Sequence, residues 1–166
     1  MDEKKAIEFA CRAALIGATL DRADLRGKNL SGVNLTNASL RGADLSRANL
    51  SGAILTRADL SRACLNATNL EGADLSSADL SMAYMRATNF KRANLTMAIL
   101  KRVTAKNAIF YDADMTGANV MQAEFLGSLF NGAILEGVRH AETANFFGTS
   151  TPREKEQSNT TPDQDL

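Results

Sequence analysis

The residues able to do chemistry are few and far apart. One histidine, His140, and two cysteines, Cys11 and Cys64, occur in 166 residues. They cannot make a zinc site, which needs several ligands converging on one point. His140 stands beside Arg139 and reads as a surface side chain of a terminal cap. Carboxylates are the stronger prospect. Asp24 and Asp44 lie twenty residues apart, as do Asp59 and Asp79. Paired carboxylates do acid–base work or bind cations when a fold brings them together. Yet Arg22-Ala-Asp24 and Arg57-Ala-Asp59 set a cation near each pair, which favours charge balance on a surface over catalysis. The glycines recur at fixed intervals and form no phosphate-binding loop. No catalytic, cofactor or metal site is expected, and the chain does not read as an enzyme.

The elements that carry these residues follow a five-residue beat. From Ala18 to Gly137 an apolar residue falls on every fifth position, as in ASLRG, ADLSR, ANLSG, AILTR. Leu takes sixteen of the 24 centres from Leu20 to Leu135, and Ala stands two places before eighteen of them, so the pattern is too strict for a helix or a long strand. In an extended segment residues two apart share a side. The small residue and the large centre therefore face inward together, and the residue between them faces outward. Two further residues must then turn the chain, or the next centre would point the wrong way.

Like residues recur every twenty positions. Phe90, Phe110 and Phe130 do so, as do Asn29, Asn49, Asn69 and Asn89, and Gly32, Gly52 and Gly72. In-register parallel stacking favours such columns. Four units per coil make a square coil, so residues 18–137 would form six coils, roughly 29 Å long at a spacing of about 4.8 Å. Large centres should have small companions, as Phe110 has in Ala108 and Phe130 in Ser128. Lys28 breaks the rule and should escape at the open end of the first coil.

The motif A(D/N)LXX, carried by units such as ANLSG and ADLSR over 120 of 166 residues, closely resembles the pentapeptide-repeat proteins. The resemblance implies an all-β fold, a right-handed quadrilateral parallel β-helix. Members are numerous in cyanobacteria, and for most of them the family assigns no function.

Solenoid ends need caps. Residues 2–14 read as a short helix, so residues 1–17 are expected to cap the N-terminal end. Residues 138–148, which include Phe146 and Phe147, should close the other end. Residues 149–166 hold no apolar side chain before Leu166 and read as a disordered tail. No apolar run is long enough to span a membrane, and two lone thiols suit the cytoplasm.

Two surface signals remain. Arg86, Lys91, Arg92, Lys101, Arg102 and Lys106 form a basic band without acidic residues, a patch for an acidic partner or nucleic acid. Only Tyr84 and Tyr111 lie near it for base stacking, so nucleic acid is not the expected partner. The second signal is apolar: Tyr84, Ile99, Ile109, Leu129 and Ile134 replace Asp or Asn at outward positions, with Tyr111 close to the Ile109–Leu129 pair. Exposed apolar surface marks an interface, and a homodimer is one form it could take. The expected function is a non-enzymatic scaffold that binds a protein partner through the faces of a rigid rod. The family resemblance also raises DNA mimicry directed at a type II topoisomerase. A formal net charge of +0 disfavours it, because a mimic of duplex DNA must be strongly acidic.

Overall fold

A computed structural model describes residues 15–150. The expected helix over residues 2–14, Cys11 and nearly all of the tail expected over residues 149–166 lie outside the described residues.

Each five-residue unit is three extended residues followed by a two-residue turn. At Leu40–Ala43 the Ala43 N–H closes the turn on the Leu40 carbonyl at 3.0 Å. The second turn residue is left-handed at every corner from Gly17 to Gly137. Glycine adopts that region freely, but Arg22, Arg47, Arg57, Arg62, Arg92 and Arg102 hold φ of 56 to 60 there as well. Such a backbone costs about 1–2 kcal/mol for a side-chain-bearing residue, and the coil-to-coil hydrogen bonds hold it in place. Around the same corner the Leu40 N–H donates to the Asp59 carbonyl at 2.7 Å, Gly42 to Ser61 at 2.9 Å, and Asp59 back to Ala38 at 2.9 Å.

The register is a parallel pairing of each outward residue with the one twenty positions on. Four turns therefore separate paired residues, and the coil has four sides. The fold is a quadrilateral parallel β-helix whose sides are too short to form long strands. The one helical element among the described residues is the short 3-10 turn Ala141–Thr143.

The interior is the set of centres and their small companions. Leu40 to Leu80, Met85, Phe90 and Phe110 are fully buried. Phe110 stacks between Phe90 and Phe130, with ring centroids 4.9 and 4.8 Å away and interplanar angles of 5° and 3°. Phe125 meets Phe110 and Phe130 edge-on. Where the companion is a hydroxyl residue, the hydroxyl is satisfied inside: Thr68 Oγ1 donates to the Leu45 carbonyl at 2.7 Å and Thr88 Oγ1 to Leu65 at 2.6 Å. Lys28 is exposed, as the unpaired ammonium requires.

The ladder does not stop at Gly137. Arg139 pairs with Asn119, Asn145 with Glu124, and Ser150 with Leu129. The Glu124–Asn145 pair is 21 residues apart because the 3-10 turn absorbs one extra residue at a corner. That shift sets Phe146 over the last rings, 5.1 Å from Phe125 and 5.8 Å from Phe130.

Candidate interaction surfaces

Every outward residue belongs to one of four faces. The asparagine face runs Asn29, Asn49, Asn69, Asn89, Ile109, Leu129. The tyrosine face runs Asp24, Asp44, Cys64, Tyr84, Thr104, Glu124. A third carries Ser39, Asp59, Asp79 and Ile99, and the fourth carries Asn34, Ile54, Asp74, Asn94, Asp114 and Ile134.

The outward Asp and Asn residues have a structural task. Their Oδ1 atoms accept the N–H of the first turn residue, as Asp44 does from Ser46 at 3.0 Å and Asp59 from Ser61 at 2.9 Å. This bond fastens the corner. Asparagines add a ladder along the rod: Asn89 Nδ2 donates to Asn69 Oδ1 at 3.0 Å, and Asn69 to Asn49 at 3.3 Å. The stacked carboxylates are held by the same devices. Hydrogen bonds from the Arg26 side chain, and then from its N–H, lower the Asp24 pKa from 3.8 to about 2. Asp44 is lowered by the Ser46 hydroxyl and N–H. Carboxylates held this strongly ionised are poor proton donors at neutral pH.

The other reactive side chains are equally ordinary. Cys64 is a free thiol, with Ser46 Oγ at 3.0 Å and Asn66 Nδ2 at 3.2 Å from its sulfur. His140 is exposed, with Nδ1 3.6 Å from a Glu142 carboxylate oxygen. Among the described residues no group of three His, Cys, Asp or Glu is arranged to hold a metal ion. None of the described helices is long and apolar enough to cross a membrane.

The structure divides the six apolar candidates among the faces. Ile109 and Leu129 are directly paired on the asparagine face, and Tyr111 occupies the corner just after Ile109, beyond Phe110. Ile99 stands on a different face, and Ile134, 49% exposed, on the fourth. Tyr84 is 55% exposed on the tyrosine face. Ile16, Ile54, Met82 and Met97 are exposed as well, and of the two phenylalanines expected to close the C-terminal end only Phe146 packs inward. Phe147 is 76% exposed on the corner between the tyrosine and asparagine faces, one coil above Leu126.

The six basic candidates are also divided. Lys101 and Arg102 flank one side of the tyrosine face, and Arg86 and Lys106 flank the other. Lys91 and Arg92 sit across the asparagine face, on its far corner. The same corners also carry Arg62, two coils below Arg102, and Arg47, two coils below Ala87 beside Arg86, with Arg22, Arg26 and Arg41 in the first two coils. Between Asp44 and Glu124 this face and its two corners contain no carboxylate. Asp59 and Asp79 lie on the adjoining face, where Asp59 is 3.7 Å from Arg41. Lys106 approaches Glu124 at 4.0 Å, whereas Arg47, Arg62, Arg86, Lys101 and Arg102 have no acidic partner among the described residues. Along the corner shared with the asparagine face runs a groove of about 890 Å³, lined by the charged Asp24, Arg26, Lys28, Arg47 and Arg86, with Asn66 and small residues such as Gly27, Ser46, Ala67 and Ala87 between them.

Comparison with known proteins agrees with this architecture. The family model described as pentapeptide repeats matches eight copies, over residues 13–52, 53–92, 68–104, 88–127 and 108–139. Among solved structures the chain is similar to HetL, a pentapeptide repeat protein involved in heterocyst differentiation regulation from the cyanobacterium Nostoc sp. strain PCC 7120. Identity is 34% and the TM-score 0.80, over 82% of this chain and 63% of HetL. The chain thus spans less than two thirds of HetL's length. It is also similar to alr5209, a pentapeptide repeat protein from the same Nostoc strain, at 37% identity and a TM-score of 0.51, over 60% of this chain and 78% of that one. No curated protein matches the sequence.

Proposed function

Since this chain belongs to the pentapeptide-repeat family, we propose that it is a non-enzymatic scaffold that binds a protein partner through the outer faces of a rigid β-helix. The observation that carries this reading is the exchange at Ile109 and Leu129. Outward Asp and Asn residues hold their corners by accepting a turn N–H. Ile109 and Leu129 cannot, and the N–H groups of Tyr111 and Asn131 have no protein acceptor among the described residues. Each forgone bond is worth about 0.5–1.5 kcal/mol. A sequence that gives up corner bonds to set two half-buried apolar side chains side by side on an outer face is spending stability on that face, and contiguous apolar surface serves association.

The interior supports the same reading. It is filled by Leu, Ala and Phe, and every buried side-chain polar atom among the described residues has a partner. Nothing in the core is left over for chemistry. HetL, a pentapeptide repeat protein involved in heterocyst differentiation regulation, is a precedent for a regulatory role in a protein of this build. The cytoplasm remains the proposed setting, on the sparse cysteine content. Residues 1–17 are the proposed N-terminal cap of a right-handed rod of about six coils, and residues 138–148, which carry the ladder on past Gly137, its proposed C-terminal closure.

The test is affinity capture from a lysate of the source organism with the full chain as bait, comparing wild type with Ile109→Asp/Leu129→Asp. The reading expects a defined protein with the wild type that is lost with the variant. Equal capture by both would contradict it.

A further inference from the structure

The corner between the tyrosine and asparagine faces has a polarity along the rod. Its lower coils present Arg26, Arg47, Arg86 and Lys106 in sequence, with Lys28 beside them. Its upper coils present Leu126 and the exposed Phe147. Small residues between the cations leave the groove described above, which runs from the first coil to the fourth. Arg26 is neutralised by Asp24 at 2.7 Å and lies 3.8 Å from Asp44. Lys28, Arg47 and Arg86 have no such partner among the described residues.

From this the geometry points to the chemistry of the partner, and the inference rests on the scaffold reading above: the corner takes an extended polypeptide segment that is acidic in one half and apolar in the other. Carboxylates lie along Lys28, Arg47 and Arg86, and apolar side chains land on Leu126 and Phe147, beside Ile109 and Leu129. The dimensions suit it. From the coil of Lys28 to that of Lys106 is four spacings of about 4.8 Å, close to 19 Å, which about six extended residues span. Unpaired guanidinium groups along an open groove favour planar carboxylates, which they bind through two parallel hydrogen bonds.

A nucleic acid suits the corner less well. Single strands bind through several aromatic platforms, and Tyr84 is the sole aromatic on the tyrosine face and its corners between Asp24 and Glu124. The apolar upper end offers phosphates nothing.

The test is panning of a displayed random twelve-residue peptide library on the full chain, with counter-selection on Arg47→Glu/Arg86→Glu. Enriched peptides should carry a run of Asp or Glu joined to apolar residues. The best of them, synthesised, should bind wild type, weaken at least tenfold with Arg47→Glu/Arg86→Glu, and weaken as salt rises. Both substitutions are at exposed or turn positions, and equal melting temperatures of variant and wild type exclude unfolding as the cause. A library without acidic enrichment would overturn the proposal, as would binding insensitive to the charge reversal. Tighter binding of a twelve-nucleotide single strand or duplex, lost in the same variant, would overturn it in favour of nucleic acid. Each of these failures leaves the Ile109/Leu129 capture experiment standing, so the two readings fall separately.

Discussion

Ile109 sits directly above Asn89 in one outward column, and at that step the amide ladder of the asparagine face ends. Below it each Asn donates to the one beneath and also fastens its own corner, as Asn89 does by accepting the Lys91 N–H at 3.0 Å. Above it two aliphatic side chains replace both functions. The break lies in the exterior alone, since the interior column beneath passes from Phe90 to Phe110 without a change of stacking.

Ile109→Asn should therefore stabilise the rod. The new amide can donate to Asn89 and accept the Tyr111 N–H, and each net hydrogen bond contributes about 0.5–1.5 kcal/mol. We expect a gain of about 1 kcal/mol in urea unfolding, with partner capture reduced. A stabilising change that weakens function is the usual sign of a surface kept for binding. Unchanged or lower stability would show that the Ile109–Leu129 contact is itself structural.

Phe110→Ala should be the most damaging single truncation. Its ring lies between those of Phe90 and Phe130 and against the edge of Phe125. A coil held in register from both sides cannot collapse into the hole, so a loss of about 3–5 kcal/mol is expected by denaturant titration.

Acid should weaken the rod through its outward carboxylates. Asp24 has its pKa lowered to about 2 by Arg26. Asp21 is lowered chiefly by the Ser39 hydroxyl and Asp44 by Ser46. At Asp74 burial acts upward, and the Ser76 N–H and the hydroxyls of Ser76 and Thr56 outweigh it. The folded values all lie below the unfolded one, so the unfolded chain binds protons more readily as pH falls. The stabilisation is complete above the ordinary 3.8 and is lost as pH drops through the folded values towards 2. Urea midpoints should stay level from about pH 7 to 5 and fall below about pH 4. Carboxyl NMR should return Asp24 towards 3.8 in Arg26→Ala.

Much of this was legible in the sequence. The five-residue beat and the columns at intervals of twenty gave the paired register, the Phe90–Phe110–Phe130 stack and the escape of Lys28. Two features were hidden, each for a physical reason. The continuation of the ladder to Ser150 was masked because one extra residue at the Ala141–Thr143 turn moves Phe146 off the multiples of five. The stacking of Arg86 and Lys106 follows from the interval of twenty, but the place of Arg47 at the same corner was masked because it joins them only after coiling, and Lys91, a member of the band by sequence, turns onto another corner. A run of charge along the chain is spread round a solenoid; a column of charge is gathered by it.

The central claim is that the late outward surface exists to hold a protein. Affinity capture from the source organism with wild type and Ile109→Asp/Leu129→Asp, both verified as folded by matching thermal melts, tests it most directly. A partner recovered at stoichiometric level by the wild type and absent from the variant is the expected result. Recovery of the same proteins in the same amounts by both baits would contradict it.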